Sequence, residues 1–135
     1  MDTAIELDAA AWARFAPAEA KRILEFLGLA TGGGLEALAR VVALRMYALI
    51  NPYRIEWAEG RKVLRFVTES CLVQQTRRRK GLPDFPCTSV GRVEFGGLAR
   101  TMDPRIQVHC PVCPPDPPAD GACAREFTLA GEQKR

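Results

Sequence analysis

The chain has 135 residues, 47% of them apolar and 26% charged, with 19 lysines and arginines against 16 aspartates and glutamates for a net charge of +3. That length suits one domain burying about two-thirds of the surface its unfolded form exposes, and excludes two large ones. The mild charge gives the whole molecule no attraction for nucleic acid or an anionic membrane. No run reaches the roughly 18 apolar residues of a membrane span, because Arg45 interrupts Val41–Ile50.

The start, Met1-Asp2-Thr3-Ala4-Ile5-Glu6, lacks the basic and apolar stretches of a secretory signal, so a cytoplasmic location is expected. The five cysteines would then meet a reducing environment, where grouped thiols serve metals or chemistry more often than bridges.

From Asp8, an N-cap, to Gly28, a stop, Trp12, Phe15, Ile23, Leu24 and Leu27 fall mainly at helical spacing. Pro17 breaks this helix or opens a second one. Gly32-Gly33-Gly34 reads as a hinge. A further helix from Leu35 to Leu49 presents Leu35, Leu38, Val42, Met46 and Leu49 on one stripe, closed by Pro52. The period then becomes two, with Tyr53, Ile55 and Trp57 in one strand, Lys62–Val67 in the next, and a turn at Glu59-Gly60.

The long-side-chain run Gln74–Lys80 predicts a third helix, stopped by Gly81 and Pro83. A fourth follows Cys87-Thr88-Ser89 through Met102, weakened by Gly91, Gly96 and Gly97. Arg105–Cys110 and Cys123–Leu129 complete a set of four strands. The prolines of Pro111–Pro118 between them forbid regular structure. The order α-α-β-β-α-α-β-β predicts a single α+β domain over 1–135, with a four-stranded, mostly antiparallel sheet packed against N-terminal and central helices. Residues 1–50 form its helical part, 51–130 carry sheet, helices and cysteines, and 131–135 form a tail.

Cys110-Pro-Val-Cys113, followed by Cys123, is the strongest chemical signal. A C-x2-C turn lets two sulfurs converge, and pairing of the flanking strands would bring Cys123 to the same end of the sheet. The fourth ligand of a zinc ion or iron–sulfur cluster would be Cys87, with Cys71, His109 or an exogenous group as substitutes. The plain alternative is a set of buried or surface thiols that happen to cluster.

Cys87, at an expected helix N-terminus, is a candidate nucleophile through a lowered thiol pKa, with His109, the only histidine, as its base. Each also reads as an ordinary structural residue. Asp84, Glu94, Asp103 and Asp116 are candidate acids with no readable pairing. Arg77-Arg78-Arg79-Lys80 points in all directions from one helical turn, which describes a solvated helix end better than a nucleic-acid patch. Trp12, Trp57, Phe66 and Phe127 are expected in the core.

The segments Cys71–Cys87, Ser89–Gly91 with Glu94, Asp103–Ile106, Cys110–Asp116 and Cys123–Phe127 resemble a prokaryotic family of uncharacterised cytosolic proteins, a domain of unknown function, over nearly the whole chain. That family is similar in turn to aminothiazoline-carboxylate hydrolase-like proteins and to the vinyl-reductase-type ligand domain. The resemblance implies an α+β fold with either a small-molecule pocket between helices and sheet or cysteine-dependent hydrolysis, and carries over no catalytic residue. It also implies a helix upstream of the Trp12 helix, absent from a fragment or shortened homologue or supplied by a partner, and an aromatic residue where Arg125 stands.

The expectation is a cytoplasmic metal-binding protein holding zinc or an iron–sulfur cluster through Cys87, Cys110, Cys113 and Cys123 near a ligand pocket, in a structural or sensing role. The alternative is a cysteine-dependent hydrolase with Cys87 or Cys123 as nucleophile, His109 as base, and Arg77 or Arg105 holding a substrate carboxylate. A small-molecule ligand is the expected partner, with self-association or a helix-supplying partner beside it, and neither nucleic acid nor membrane.

Overall fold

The structure, a computed structural model, describes residues 2–112 and 123–130. The first helix, α1, runs unbroken over Asp2–Leu27 and starts earlier than Asp8. Pro17 lies inside it, against expectation. Its ring seats on a glycine of a later helix: a Cβ placed on Gly97 would lie 3.6 Å from the proline Cδ, an ordinary packing distance. The helix ends at Gly28 as expected, where the Leu29 amide donates to the Leu24 carbonyl (2.9 Å) and the Gly28 amide to that of Glu25 (3.1 Å).

The three glycines that follow form a pinned turn, which corrects the reading of a hinge. The Gly32 amide donates to the Met102 carbonyl at 2.7 Å, and the Gly34 amide donates to Asp103 Oδ2 at 3.0 Å. Gly32 and Gly34 both have positive φ, and a Cβ on Gly33 would stand 2.7 Å from that of Ala37, so side chains are excluded along the whole turn. Helix α2 then spans only Gly34–Val42, not Leu35–Leu49. Arg45 turns inward and the Met46 amide donates to a Glu19 carboxylate oxygen (2.9 Å), which diverts the chain into a single 3-10 turn at Tyr47–Leu49.

The sheet follows the expected alternation. Strands β1 (Tyr53–Ala58), β2 (Val63–Thr68), β3 (Ile106–Val112) and β4 (Cys123–Leu129) pair antiparallel in the order β1-β2-β4-β3. Strand β3 runs two residues past Cys110, through Pro111, with an irregular register between His109 and Val112. An edge strand tolerates a proline because one row of its amides needs no partner strand. The rest of the proline-rich segment, with Cys113 and Asp116, lies outside the described residues, as does the expected tail at 131–135.

Helices α3 (Leu72–Arg79) and α4 (Cys87–Met102) stand where the sequence predicts them. Leu64, Phe66, Arg125 and Phe127 share the sheet face that α4 covers, while Arg65, Glu126 and His109 share the other. Phe95 of α4 meets Phe66 and Phe127 at centroid distances of 6.2 and 6.1 Å, and α1 packs on α4 in turn. Leu38, Val41, Leu64, Leu98 and Phe127 are fully buried, each contributing about 1.5–3 kcal/mol of transfer free energy. Asp103 joins the layers at the end of α4. Its Oδ1 accepts from the Arg105 amide and Nε, and its Oδ2 from Arg105 Nη2 and the Gly34 amide. The α+β class is thus the one expected.

Candidate functional site

A cavity of about 140 Å³ opens between the N-terminal half of α4 and one end of the sheet. Its walls are largely aromatic: Trp12 from α1, Tyr47 from the 3-10 turn, Tyr53 and Phe66 from the sheet, Phe85 from the loop before α4, and Phe95 from α4 itself. Tyr53 stacks on Phe66 at 5.3 Å and Trp12 lies 5.7 Å from Tyr47, so the rings brace one another.

Two guanidinium groups face this space. Arg45 is almost fully buried, its Nε donating to Glu19 Oε1 at 2.9 Å and its Nη2 to Glu94 Oε2 at 2.7 Å. It also lies over the rings of Trp12 and Phe95. The three charges join α1, the α2–β1 connection and α4 with partners on both sides of the cation. Burial raises the Glu94 carboxyl pKa even against the pull of Arg45, and burial followed by the Glu94 charge raises the Tyr47 phenol.

Arg125 enters from β4, opposite Phe66, where an aromatic residue was expected. It is 5% exposed, lies over Phe95 at 5.2 Å, and donates through Nη1 to Cys110 Sγ. Gly91 makes room for it, because a Cβ there would stand 2.1 Å from Nη2. The glycine judged to weaken α4 is therefore the gap through which a buried cation passes. Desolvation lowers the Arg125 pKa, opposed by the charges of Cys123, Glu94 and Cys87.

Three free cysteines line the same cavity: Cys71 before α3, Cys87 at the first residue of α4, and Cys123 opposite Thr68. Gln74, buried on α3, fixes Cys87. Its amide nitrogen donates to Cys87 Sγ (3.2 Å) and to the Phe85 carbonyl (2.9 Å), and its oxygen accepts from the Phe85 amide (2.8 Å). The sequence reading expects the helix N-terminus to lower the Cys87 pKa. Burial outweighs that influence and pushes the thiol up to about 12, with Cys71 and Cys123 adding to the shift. Burial also raises Cys123, against the counter-pull of Arg125 and a hydrogen bond with Thr68.

The expected ligand set is divided. Cys87 and Cys123 share the cavity; Cys110 sits on β3 as a disulfide-bonded residue; Cys113 lies outside the described residues. Among the described residues no three of His, Cys, Asp and Glu are placed to hold a metal ion. His109 is exposed, opposite Glu126 in the register, and lines a separate cleft instead of the cavity that Cys87 faces. Arg105 is paired with Asp103, and Arg77 donates to the Pro83 carbonyl at the surface. Asp84 pairs with Arg78, which holds its carboxyl below the usual carboxylate range. The cysteine nucleophile, the His109 base and the arginine expected to hold a substrate carboxylate therefore do not line one cavity.

Glu19, Arg45, Gln74 and Arg125 were not singled out as functional. Two of them had a readable signal: Glu19 falls on the apolar stripe of Trp12, Ala16, Ala20 and Ile23, and Arg125 alternates in phase with Phe127. A charge in phase with a buried face must find a partner inside.

Among the described residues no helix is long and apolar enough to cross a membrane. No curated protein and no solved structure matches the chain. A family model does, over residues 1–129, and the chain belongs to that family, a family of unknown function designated DUF6125.

Proposed function

We propose that the chain is a cytoplasmic protein that binds a small, mainly apolar and aromatic molecule in the cavity between α4 and the sheet. The observation that carries this reading is the composition of the walls: six aromatic rings and three thiols surround a space that remains open in a packed domain. Natural interiors are close-packed, so an aromatic cavity lined by so few exposed polar atoms favours an apolar occupant over water. Arg45 is matched by Glu19 and Glu94, and the Cys87 thiol is neutral at physiological pH. These features favour a ligand without strong charge. The similarity read from the sequence to ligand domains of the vinyl-reductase type points the same way.

Titration with 2-naphthol, followed by its fluorescence, tests the reading. Saturable one-to-one binding is expected, with loss in Ala48→Trp, which places an indole in the cavity wall. Equal binding by wild type and Ala48→Trp, or no saturable binding by wild type, would overturn it.

A further inference from the structure

Two short segments beside the cavity carry apolar side chains into solvent. Leu49 and Ile50, at the end of the 3-10 turn, and Leu72 and Val73, at the start of α3, are from 41% to 77% exposed. The segments adjoin: Asn51 Oδ1 accepts from the Leu72 amide at 3.0 Å, and the Glu69 amide donates to the Pro52 carbonyl at 2.8 Å. Ala48, Asn51, Cys71 and Val73 also line the aromatic cavity, so the apolar patch forms its outer rim. Single exposed apolar residues need no explanation, but a group of four at a cavity mouth marks a contact surface.

The positive charge of the chain is gathered at the same corner. Between Leu72 and Asp84, four basic residues, Arg77, Arg78, Arg79 and Lys80, against one acidic residue, Asp84, leave +3, which equals the net charge of the whole chain. The rest of the sequence is therefore balanced. With Gln74 buried, Leu72 and Arg79 lie seven residues apart on the outer face of α3, and Val73 and Lys80 share its flank. That spacing sets each basic group about 10 Å along the helix from an apolar one. The neighbouring carboxylates are engaged, Asp84 by Arg78 at 2.7 Å and Glu69 by Arg54 at 3.5 Å. Arg79 donates to Thr76 within its own helix and, like Lys80, is exposed.

We infer that this rim docks on a membrane surface bearing anionic lipid headgroups, with Leu49, Ile50, Leu72 and Val73 entering the boundary between headgroups and acyl chains while Arg79 and Lys80 meet the phosphates. Apolar burial and the attraction of basic groups to anionic lipid add at such a surface. Nucleic acid would use the basic residues and leave the apolar ones in water, and a second copy would set two positive patches against each other across a two-fold axis. The mild total charge, on which the expectation of no membrane partner rests, conceals this placement. Docking brings the cavity mouth against the phase in which apolar molecules dissolve, which deepens the ligand reading above and rests on it.

The test is co-sedimentation of the ligand-free full chain with sucrose-loaded vesicles. Binding to phosphatidylcholine containing about one-third phosphatidylglycerol is expected to be at least about ten-fold stronger than to phosphatidylcholine alone, and to weaken when salt is raised to about 0.5 M. Arg79→Gln with Lys80→Gln, and separately Leu49→Gln with Leu72→Gln, should each weaken it at least about ten-fold. All four side chains are exposed, so both variants are expected to fold, which their urea midpoints check. Neither Leu49 nor Leu72 lines the cavity, so the leucine variant should bind 2-naphthol as the wild type does, and loss of vesicle binding is thereby separable from loss of the ligand site. No sedimentation with the anionic vesicles, equal sedimentation with both vesicle types, or wild-type sedimentation by the leucine variant, which charge alone would give, would overturn the inference.

Discussion

Two guanidinium groups are buried against the same ring, Arg45 at 4.9 Å and Arg125 at 5.2 Å from the Phe95 centroid, and their surroundings differ. Arg45 is held by carboxylates from two helices, so its charge is matched and the group acts as a strut. Arg125 meets sulfur: Cys110 in contact, with Cys87 and Cys123 close enough to influence its protonation. A cation held by two carboxylates fixes the position of helices. One beside sulfur is instead placed by the gap that Gly91 leaves for it in α4, so a missing side chain does there what two carboxylates do at Arg45.

Removing the strut should have the largest effect. Arg45→Met leaves Glu19 and Glu94 buried without their shared counter-charge and is expected to cost about 3–5 kcal/mol, read as a lower midpoint in urea at unchanged slope. A loss under about 1 kcal/mol would place the helix positioning elsewhere. At the sulfur end, Gly91→Ala drives a methyl into the space of Nη2 and is expected to cost about 1–3 kcal/mol. Combined with Arg125→Met the two changes should fall short of additive by about 1 kcal/mol, because each removes the reason for the other's penalty. Strict additivity would break the link between the glycine gap and the cation.

Acid gives the smallest effect and lies outside both arginine sites. Arg105 holds the Asp103 carboxyl down to about 2, first by side-chain hydrogen bonding, below the value of about 3.9 in an unfolded chain. A depressed carboxyl stabilises the fold fully above about pH 4 and loses that contribution as pH falls towards 2. Allowing for solvent screening at the exposed Arg105, about 1–2 kcal/mol should be lost in that window. Asp103→Asn should flatten this part of the profile, and an unchanged slope in that variant would assign the acid response to other carboxylates.

The alternation of Tyr53, Ile55 and Trp57, and the turn residues Glu59 and Gly60, made the first hairpin legible because both signals are local. The insertion of β4 between β2 and β3 was not, since a strand order rests on contacts between distant segments. The same holds at the site. Cys87 and Cys123 were identifiable as reactive residue types, but the Arg45 bonds to Glu19 and Glu94 span 26 and 49 positions, and no spacing rule connects them. Arg45 could be read only as an interruption in an apolar run. The Cys87 pKa shows the same limit in energetic form: its helix position was visible in sequence, and the burial that outweighs it was not.

The central claim is that the aromatic cavity is a binding site, and backbone amide chemical shifts recorded while 2-naphthol is titrated into ¹⁵N-labelled protein test it most directly. The account predicts saturating shifts concentrated at cavity residues such as Tyr53, Val90, Phe95 and Cys123, with exposed Phe26 on the far part of α1 unmoved. Shifts confined to exposed apolar residues such as Phe26 and Leu49, or shifts that never saturate, would contradict it.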